Sequence, residues 1–240
     1  MSKILTVSKG PESLSSPANH SNFIDIMTSR FKLLNNVLGW IVFAIAAFTY
    51  LSTIEPTTSF WDCGEYIATS FKMEVGHPPG APTFLLLGRF FTLFAGDDTS
   101  QVAMMINAMS ALSSAFTILF MFWTLTLLGR KLAKSIEKVS DASAISESGM
   151  WGIFASAIIG ALAYTFSDSF WFSAVEGEVY AMSSFFTALV FWAILKWDAD
   201  DTAKADKWIV FIAYMMGLSV GVHLLNLLAI PAIVMIVYFK

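Results

Sequence analysis

The stretch VAMMINAMSALSSAFTILFMFWTLTLL, Val102 to Leu128, runs for 27 residues without one Asp, Glu, Lys or Arg. Wound as an α-helix it is about 40 Å long, more than the roughly 30 Å hydrocarbon core of a bilayer. Working outward, apolar runs recur at about Leu33 to Thr53, Trp151 to Phe166, Val179 to Trp197, Trp208 to Gly221 and Leu224 to Phe239. Short segments that hold most of the charge separate them. The whole chain is 56% apolar and 13% charged, with a mean hydropathy of +0.67. This is the composition of an all-α, polytopic helical membrane protein with about six spans, and it excludes a soluble enzyme or a disordered chain. One cysteine, Cys63, excludes a disulfide scaffold, and a net charge of -4 with scattered basic residues leaves no nucleic-acid footprint.

The topology turns on a further apolar run, Ala81 to Ala95, broken by Gly88 and Arg89. If it crossed the membrane, the cluster Arg130, Lys131, Lys134 and Lys138 would fall on the outer side. Fifteen residues with a central Arg make a poor span, because a mid-membrane Arg costs roughly 2.5 to 3.5 kcal/mol on insertion scales. A re-entrant or juxtamembrane helix on the outer side is expected instead. The chain then divides into a loose cytoplasmic tail (1–32) and a transmembrane domain (33–240), with outer loops at 54–101 and 167–178 and an inner loop at 129–150. The N-terminus lies inside. No polar loop separates the last two runs, so residues 208–239 read equally as two spans or as one helix broken near His223. On this topology twelve of the fourteen basic residues are inside, and only Lys72 and Arg89 are outside. Nine of the eighteen acids, among them Asp62, Glu65, Asp168, Glu176 and Glu178, lie outside.

The first outer loop carries Trp61-Asp62-Cys63-Gly64-Glu65-Tyr66 and then Gly76-His77-Pro78-Pro79-Gly80. Asp62 and Glu65 are three residues apart, which fits an N-cap with its capping-box partner. It fits equally a pair of carboxylates placed after a span among aromatics, a setting that suits a general base. His77 is either a turn residue or a group that binds phosphate or steers a proton. The second outer loop places Glu176 and Glu178 at the membrane boundary without a basic neighbour, where an idle carboxylate is costly. Gly217-Leu218-Ser219-Val220-Gly221 spaces small residues for close packing, followed by His223 and Asn226 as candidate hydrogen-bonding ligands at a helix break. Cys63 reads as small filler. No His-x-Glu-His or paired-Asp box with ligand spacing occurs, so no metal is expected.

The ordered set Asp62 to Glu65, His77 to Gly80, Glu178 to Tyr180 and Gly217 to Asn226 resembles the GT-C membrane glycosyltransferases, particularly the protein O-mannosyltransferases. It is most similar to a bacterial membrane family long catalogued as a domain of unknown function and to its eukaryotic transmembrane O-mannosyltransferase relatives. That resemblance implies transfer of a sugar from a polyprenyl-phosphate carrier to a Ser or Thr hydroxyl of an acceptor protein. The reaction would run on the outer face of the bacterial inner membrane, with inversion and with no cofactor beyond the lipid-phosphate donor. Asp62 matches the catalytic base, Glu65 would support it or orient the acceptor, and His77 would contact the donor. Arg89 and Lys72, the only outer cations, are expected to meet the departing phosphate. Family members carry more spans and a large soluble C-terminal portion, so a further C-terminal region or subunit is expected. The rival readings are a transporter or flippase for a lipid-linked substrate, and a scaffold. A transporter would carry ionisable residues inside several spans, and these spans are nearly free of them.

Overall fold

A computed structural model describes residues 17–139, 145–202 and 204–240. Among them, nine α-helices and no strand occur: α1 Pro17–Ser52, α2 Cys63–Lys72, α3 Pro82–Thr92, α4 Val102–Ile136, α5 Glu147–Thr165, α6 Asp168–Ala174, α7 Val179–Asp198, α8 Lys207–Val220 and α9 Ala229–Phe239. Four segments are long and apolar enough to cross a bilayer: Ser29–Ser52 of α1, α4 with its entry turn, α5 and α7. α8 has 14 residues, and α9 with its preceding 3₁₀ turn spans Leu224–Phe239. Both are shorter than the ~20 residues a full span needs. The expected six spans therefore resolve into four of full length and two short apolar helices.

Three boundaries depart from expectation. Residues 17–32, expected in a loose tail, are helical and extend α1. Pro17 occupies the first helical position, where its missing N–H costs nothing, and no proline follows before Pro56. The rest of that tail, 1–16, lies outside the described residues. The inner loop expected at 129–150 is largely helix, because α4 runs on to Ile136 and α5 begins at Glu147. Arg130, Lys131 and Lys134 fall in the last turns of α4, where the helix dipole favours cations.

The central element is α4, against which α1, α5, α7 and α3 all pack. Its approach to α1 and α5 is close because the contact is built from small residues: Ala46 of α1, Ala111 and Ala115 of α4, and Ala157 and Ala161 of α5, all fully buried. Large buried side chains, Phe122, Phe154 and Tyr50, fill the space beside them. Leu33, Trp40, Phe48, Ile159, Val210 and Val234 project from the outer surface of the bundle, an apolar belt suited to lipid.

The two ends of the bundle differ in charge. Glu55, Asp62, Glu65, Glu176 and Glu178 gather at one end, and Arg30, Lys32, Arg130, Lys131, Lys196, Lys207 and Lys240 at the other. The C-terminal helices double back. α8 starts near the basic end, with Lys207 Nζ 3.9 Å from Asp200, and reaches the acidic end, where Thr83 N–H of α3 donates to Gly221 O at 2.8 Å. α9 then returns, and Lys240 Nζ donates to Trp197 O and Asp200 O. Residues 207–239 are thus a hairpin of two short helices. The turn is fixed by Asn226, which accepts from Ser183 and Thr187 of α7 and donates to Ser219 O.

Candidate active site

At the acidic end, the loop leaving α1 and the loop between α5 and α7 are sewn together before any functional group is placed. Glu55 N–H donates to Val175 O at 3.2 Å, and Trp171 Nε1 donates to Thr53 Oγ1 at 2.9 Å. Asn107 of α4, fully buried, donates through Nδ2 to Glu55 O at 2.6 Å and to Thr57 O at 3.0 Å. Gly177 lies flat against the same helix. A Cβ there would sit 2.8 Å from Asn107 Oδ1 and 3.2 Å from Ile106, so only glycine lets the loop approach this closely.

α2 follows a sharp turn in which Trp61 adopts a left-handed conformation (φ 59°). For a bulky residue that costs about 1–2 kcal/mol, and such strain persists where surrounding structure fixes it. Met73, also left-handed, ends the helix and donates back to Thr69 O. Asp62 occupies the N-cap position but makes no side-chain cap bond. The capping-box alternative therefore fails on both sides: the Asp62 carboxylate is left for other work, and Glu65 turns away toward His77.

Both oxygens of Glu65 are engaged by His77. Oε1 accepts the His77 backbone N–H at 2.5 Å, and Oε2 lies 3.0 Å from Nδ1. These bonds hold the Glu65 carboxyl below its ordinary range and lift the imidazole above its ordinary value. Gly76 permits the clamp, since a Cβ there would meet Glu65 Oε1 at 2.9 Å. Tyr66 stands beside the imidazole, 5.9 Å between ring centres, and packs its other side on Phe84. Asp62, Glu65 and His77 can each present one ligand atom, all within 4.8 Å of one another. Any cation held there would compete with His77 for Glu65.

Glu176 and Glu178 close the floor. They are only 4% and 5% exposed, and burial raises both carboxyls. The side chains of Ser59 and Cys63 approach Glu176, and the backbone N–H of Asp62 approaches Glu178. Glu176 Oε2 has no partner among the described residues. Cys63 is fully buried and its thiol is pushed up to about 12 by burial and by Glu176, so it is inert filler as expected.

The structure thus brings Asp62, Glu65, His77, Glu176 and Glu178 into one cluster. His223 stands at its edge, its ring 5.6 Å from that of Tyr180, with Nδ1 accepting from Leu225 N–H. Asn226 is only 1% exposed, and its amide is committed to the helix break. Lys72 and Arg89 are not brought together with the acids. Lys72 ends α2, ten residues and so about 15 Å along the helix from Asp62. Arg89 donates to Phe71 O and Thr92 Oγ1 and lies over the Phe71 ring, bracing α3 on the far end of α2. Sequence reasoning did not single out Ser59 or Asn107. Asn107 had a signal, being the only Asn in the uncharged run Val102 to Leu128.

Comparison with known proteins agrees with this reading of the motifs. The protein O-mannosyl-transferase TMEM260 N-terminal domain matches residues 62–240. The chain is 27% identical over 150 residues to protein O-mannosyl-transferase tmem260 of Dictyostelium discoideum, covering 62% of this chain and 16% of that protein. It is 27% identical over 180 residues to protein O-mannosyl-transferase TMEM260 of Mus musculus, covering 74% of this chain and 22% of that protein. The matched region is thus under a quarter of the length of these curated relatives. No solved structure matches significantly. With a match that begins at Asp62 itself and runs through most of its length, the chain belongs to the protein O-mannosyl-transferase TMEM260 N-terminal domain family.

Proposed function

We propose that this chain carries the catalytic end of a protein O-mannosyltransferase of GT-C type, which moves a sugar from a polyprenyl-phosphate donor to a Ser or Thr hydroxyl. The observation that carries the reading is the uncommitted Asp62 carboxylate, which caps no helix and stands within 4.8 Å of the Glu65–His77 pair. A Ser or Thr hydroxyl is a poor nucleophile, and a positioned carboxylate activates it. Asp62 takes the hydroxyl proton as the oxygen attacks the anomeric carbon from the face opposite the phosphate. The bond from that carbon to the phosphate oxygen breaks, polyprenyl phosphate leaves with the electron pair, and the configuration inverts. His77, which holds a proton more readily because of Glu65, faces the departing phosphate. Glu176 and Glu178, raised by burial, retain protons more readily than ordinary carboxyls and serve as hydrogen-bonding groups toward the sugar.

The apolar part of the donor has a place to lie. A cavity of about 170 Å³ between α3, α4 and α7 is lined by Leu87, Phe91, Met109, Phe116 and Phe185, among others, and suits isoprene units. The acidic end faces the outside of the bacterial inner membrane and the basic end faces the cytoplasm, in keeping with the positive-inside rule. The test is Asp62→Asn in the full-length protein. Transfer to an acceptor peptide falls by 10²- to 10⁴-fold while the melting temperature holds, because the side chain makes no cap bond. Retained transfer sinks the reading.

A further inference from the structure

Large apolar side chains beside the acidic cluster are left uncovered by the rest of the described residues. Trp61 is 87% exposed and Phe60 79%, both immediately before Asp62, and Val75 is 92% exposed. Val75 belongs to the segment that folds back along α2: Glu74 N–H donates to Thr69 O at 3.0 Å, and His77 N–H then reaches Glu65. A Cβ on Gly76, between them, would meet both Glu65 and Thr69. Along the axis of α2 the order is thus Phe60 and Trp61, then Asp62, then the Glu65–His77 pair, then Val75. The carboxylates stand between two exposed apolar flanks.

The backbone marks Trp61 out further. Its φ of 59° is one that glycine adopts freely and a bulky residue adopts at a cost. An indole so exposed recovers little of that cost by packing inside the chain, so the turn alone gives no reason for Trp here. Strain of this kind gathers where ligands are clamped, and Trp is prominent among the anchors of protein contacts. A bilayer is the poorer occupant. Trp61 is followed by Asp62 and Val75 is preceded by Glu74, both exposed, and carboxylates are costly to carry into apolar surroundings. A polypeptide lying across Asp62 meets no such penalty. From Asp62 to Thr69 is about 10 Å along the helix, which three or four residues of extended chain cover. We propose that Trp61, with Phe60 beside it and Val75 beyond, docks the acceptor polypeptide, its indole taking an aromatic or large apolar side chain that flanks the acceptor Ser or Thr. The proposal rests on the reading of Asp62 as the base that meets the acceptor hydroxyl.

The experiment uses the full-length protein with mannosyl-phosphoryl-undecaprenol as donor and two acceptor peptides of equal length and charge. One carries Phe on both sides of its single Thr, and the other carries Gly there. The expected result is a KM roughly tenfold lower for the Phe-flanked peptide. Trp61→Gly raises that KM to the value for the Gly-flanked peptide with kcat kept, and its melting temperature is no lower than native, because glycine relieves the turn. Trp61→Asn, which also tolerates a left-handed turn, does the same should the glycine variant fail to fold. Val75→Ser erases part of the preference, and Trp61→Phe keeps it. Binding of the same peptides with Ala in place of Thr, measured by microscale thermophoresis, shows the preference without any transfer. Retained transfer in Asp62→Asn therefore counts against the base alone, and docking is judged by the peptide pair. Equal KM and equal binding for the two peptides in the native protein overturn the proposal. An equal loss on both peptides in Trp61→Gly also overturns it, and assigns the indole to the membrane or to another part of the full-length chain.

Discussion

Gly76→Ala isolates the Glu65–His77 clamp from the stability of the protein. Gly76 does not use a positive φ, so alanine is conformationally acceptable there. The new Cβ would stand 2.9 Å from Glu65 Oε1, and ordinary contact begins near 3.4 Å, so the carboxylate must retreat by about 0.5 Å. Oε1 is the far end of a flexible, half-exposed side chain, and it moves at little cost to folding. What is lost is alignment: the 2.5 Å bond from the His77 N–H lengthens, and the 3.0 Å pairing with Nδ1 turns out of line. A displacement of one ångström at a reacting centre costs about 10²-fold, so half of it predicts roughly a tenfold fall in kcat/KM. The melting temperature stays within roughly 2 °C, since surface changes of this kind lie within about 0.5 kcal/mol. The imidazole supplies a second readout. In the native protein its pKa lies above 6.5 and that of Glu65 below 4.5, so the pairing contributes most between those ordinary values. It is lost as pH rises through the raised value for His77 or falls through the lowered value for Glu65. In Gly76→Ala both groups relax toward their ordinary values, and NMR titration of His77 shows the midpoint moving down. Gly152→Ala, with open space around its Cβ, is the control and changes neither rate nor midpoint. A Gly76→Ala enzyme with native kcat/KM and an unmoved His77 midpoint refutes the reasoning.

Glu178→Gln removes a carboxyl whose native pKa is raised, first by burial and then by Glu176. Such a group binds its proton more tightly when folded, so stability falls as pH climbs from 4.5 through the raised value. The Gln variant flattens that fall and melts higher than the native protein at pH 8 in a calorimetric pH series. Asn226→Ala leaves Ser183, Thr187 and Ser219 O without their partner and is expected to cost about 1–3 kcal/mol. Its activity loss on heating should track unfolding rather than appear as a raised KM at low temperature. Chelation by EDTA leaves the initial rate unchanged, because both oxygens of Glu65 are already held by His77. A rate restored only by added divalent ion would reverse that expectation.

The long apolar runs announced the bundle because hydrophobic length alone marks a spanning helix, and α4, α5 and α7 fall close to where those runs lie. The helical character of residues 17–32 was not visible, since a polar sequence without apolar periodicity gives no such signal. The α8–α9 hairpin was ambiguous for a related reason. No charged loop marks its turn, and only the hydrogen bonds of Asn226 and Gly221 show that the chain reverses. In the site, each carboxylate stood out singly by its position beside a span. Their convergence did not, because it depends on contacts between the first and second loops, Glu55 to Val175 and Asn107 to Glu55, that no local pattern encodes. Arg89 and Lys72 were grouped with the acids by side of the membrane alone. The length of α2 then separates them, a distance that a charge count cannot register.

Asn107 has a consequence for which sequence changes this protein can survive. One amide on α4 holds two carbonyls of the loop that leads into Asp62, so the rotation of α4 about its own axis is tied to the placement of the Asp62 carboxylate. Inserting or deleting one residue in α4 between Asn107 and its packed alanines would turn the amide by about 100° and swing it out of reach of both. The exposed stretch that includes Thr57 is held by the same amide, so changes of length are better borne in loops that Asn107 does not touch. Variation among related chains should therefore appear as gaps and additions in the loops, with the spacing from Asn107 to Ala111 and Ala115 kept without a single residue gained or lost.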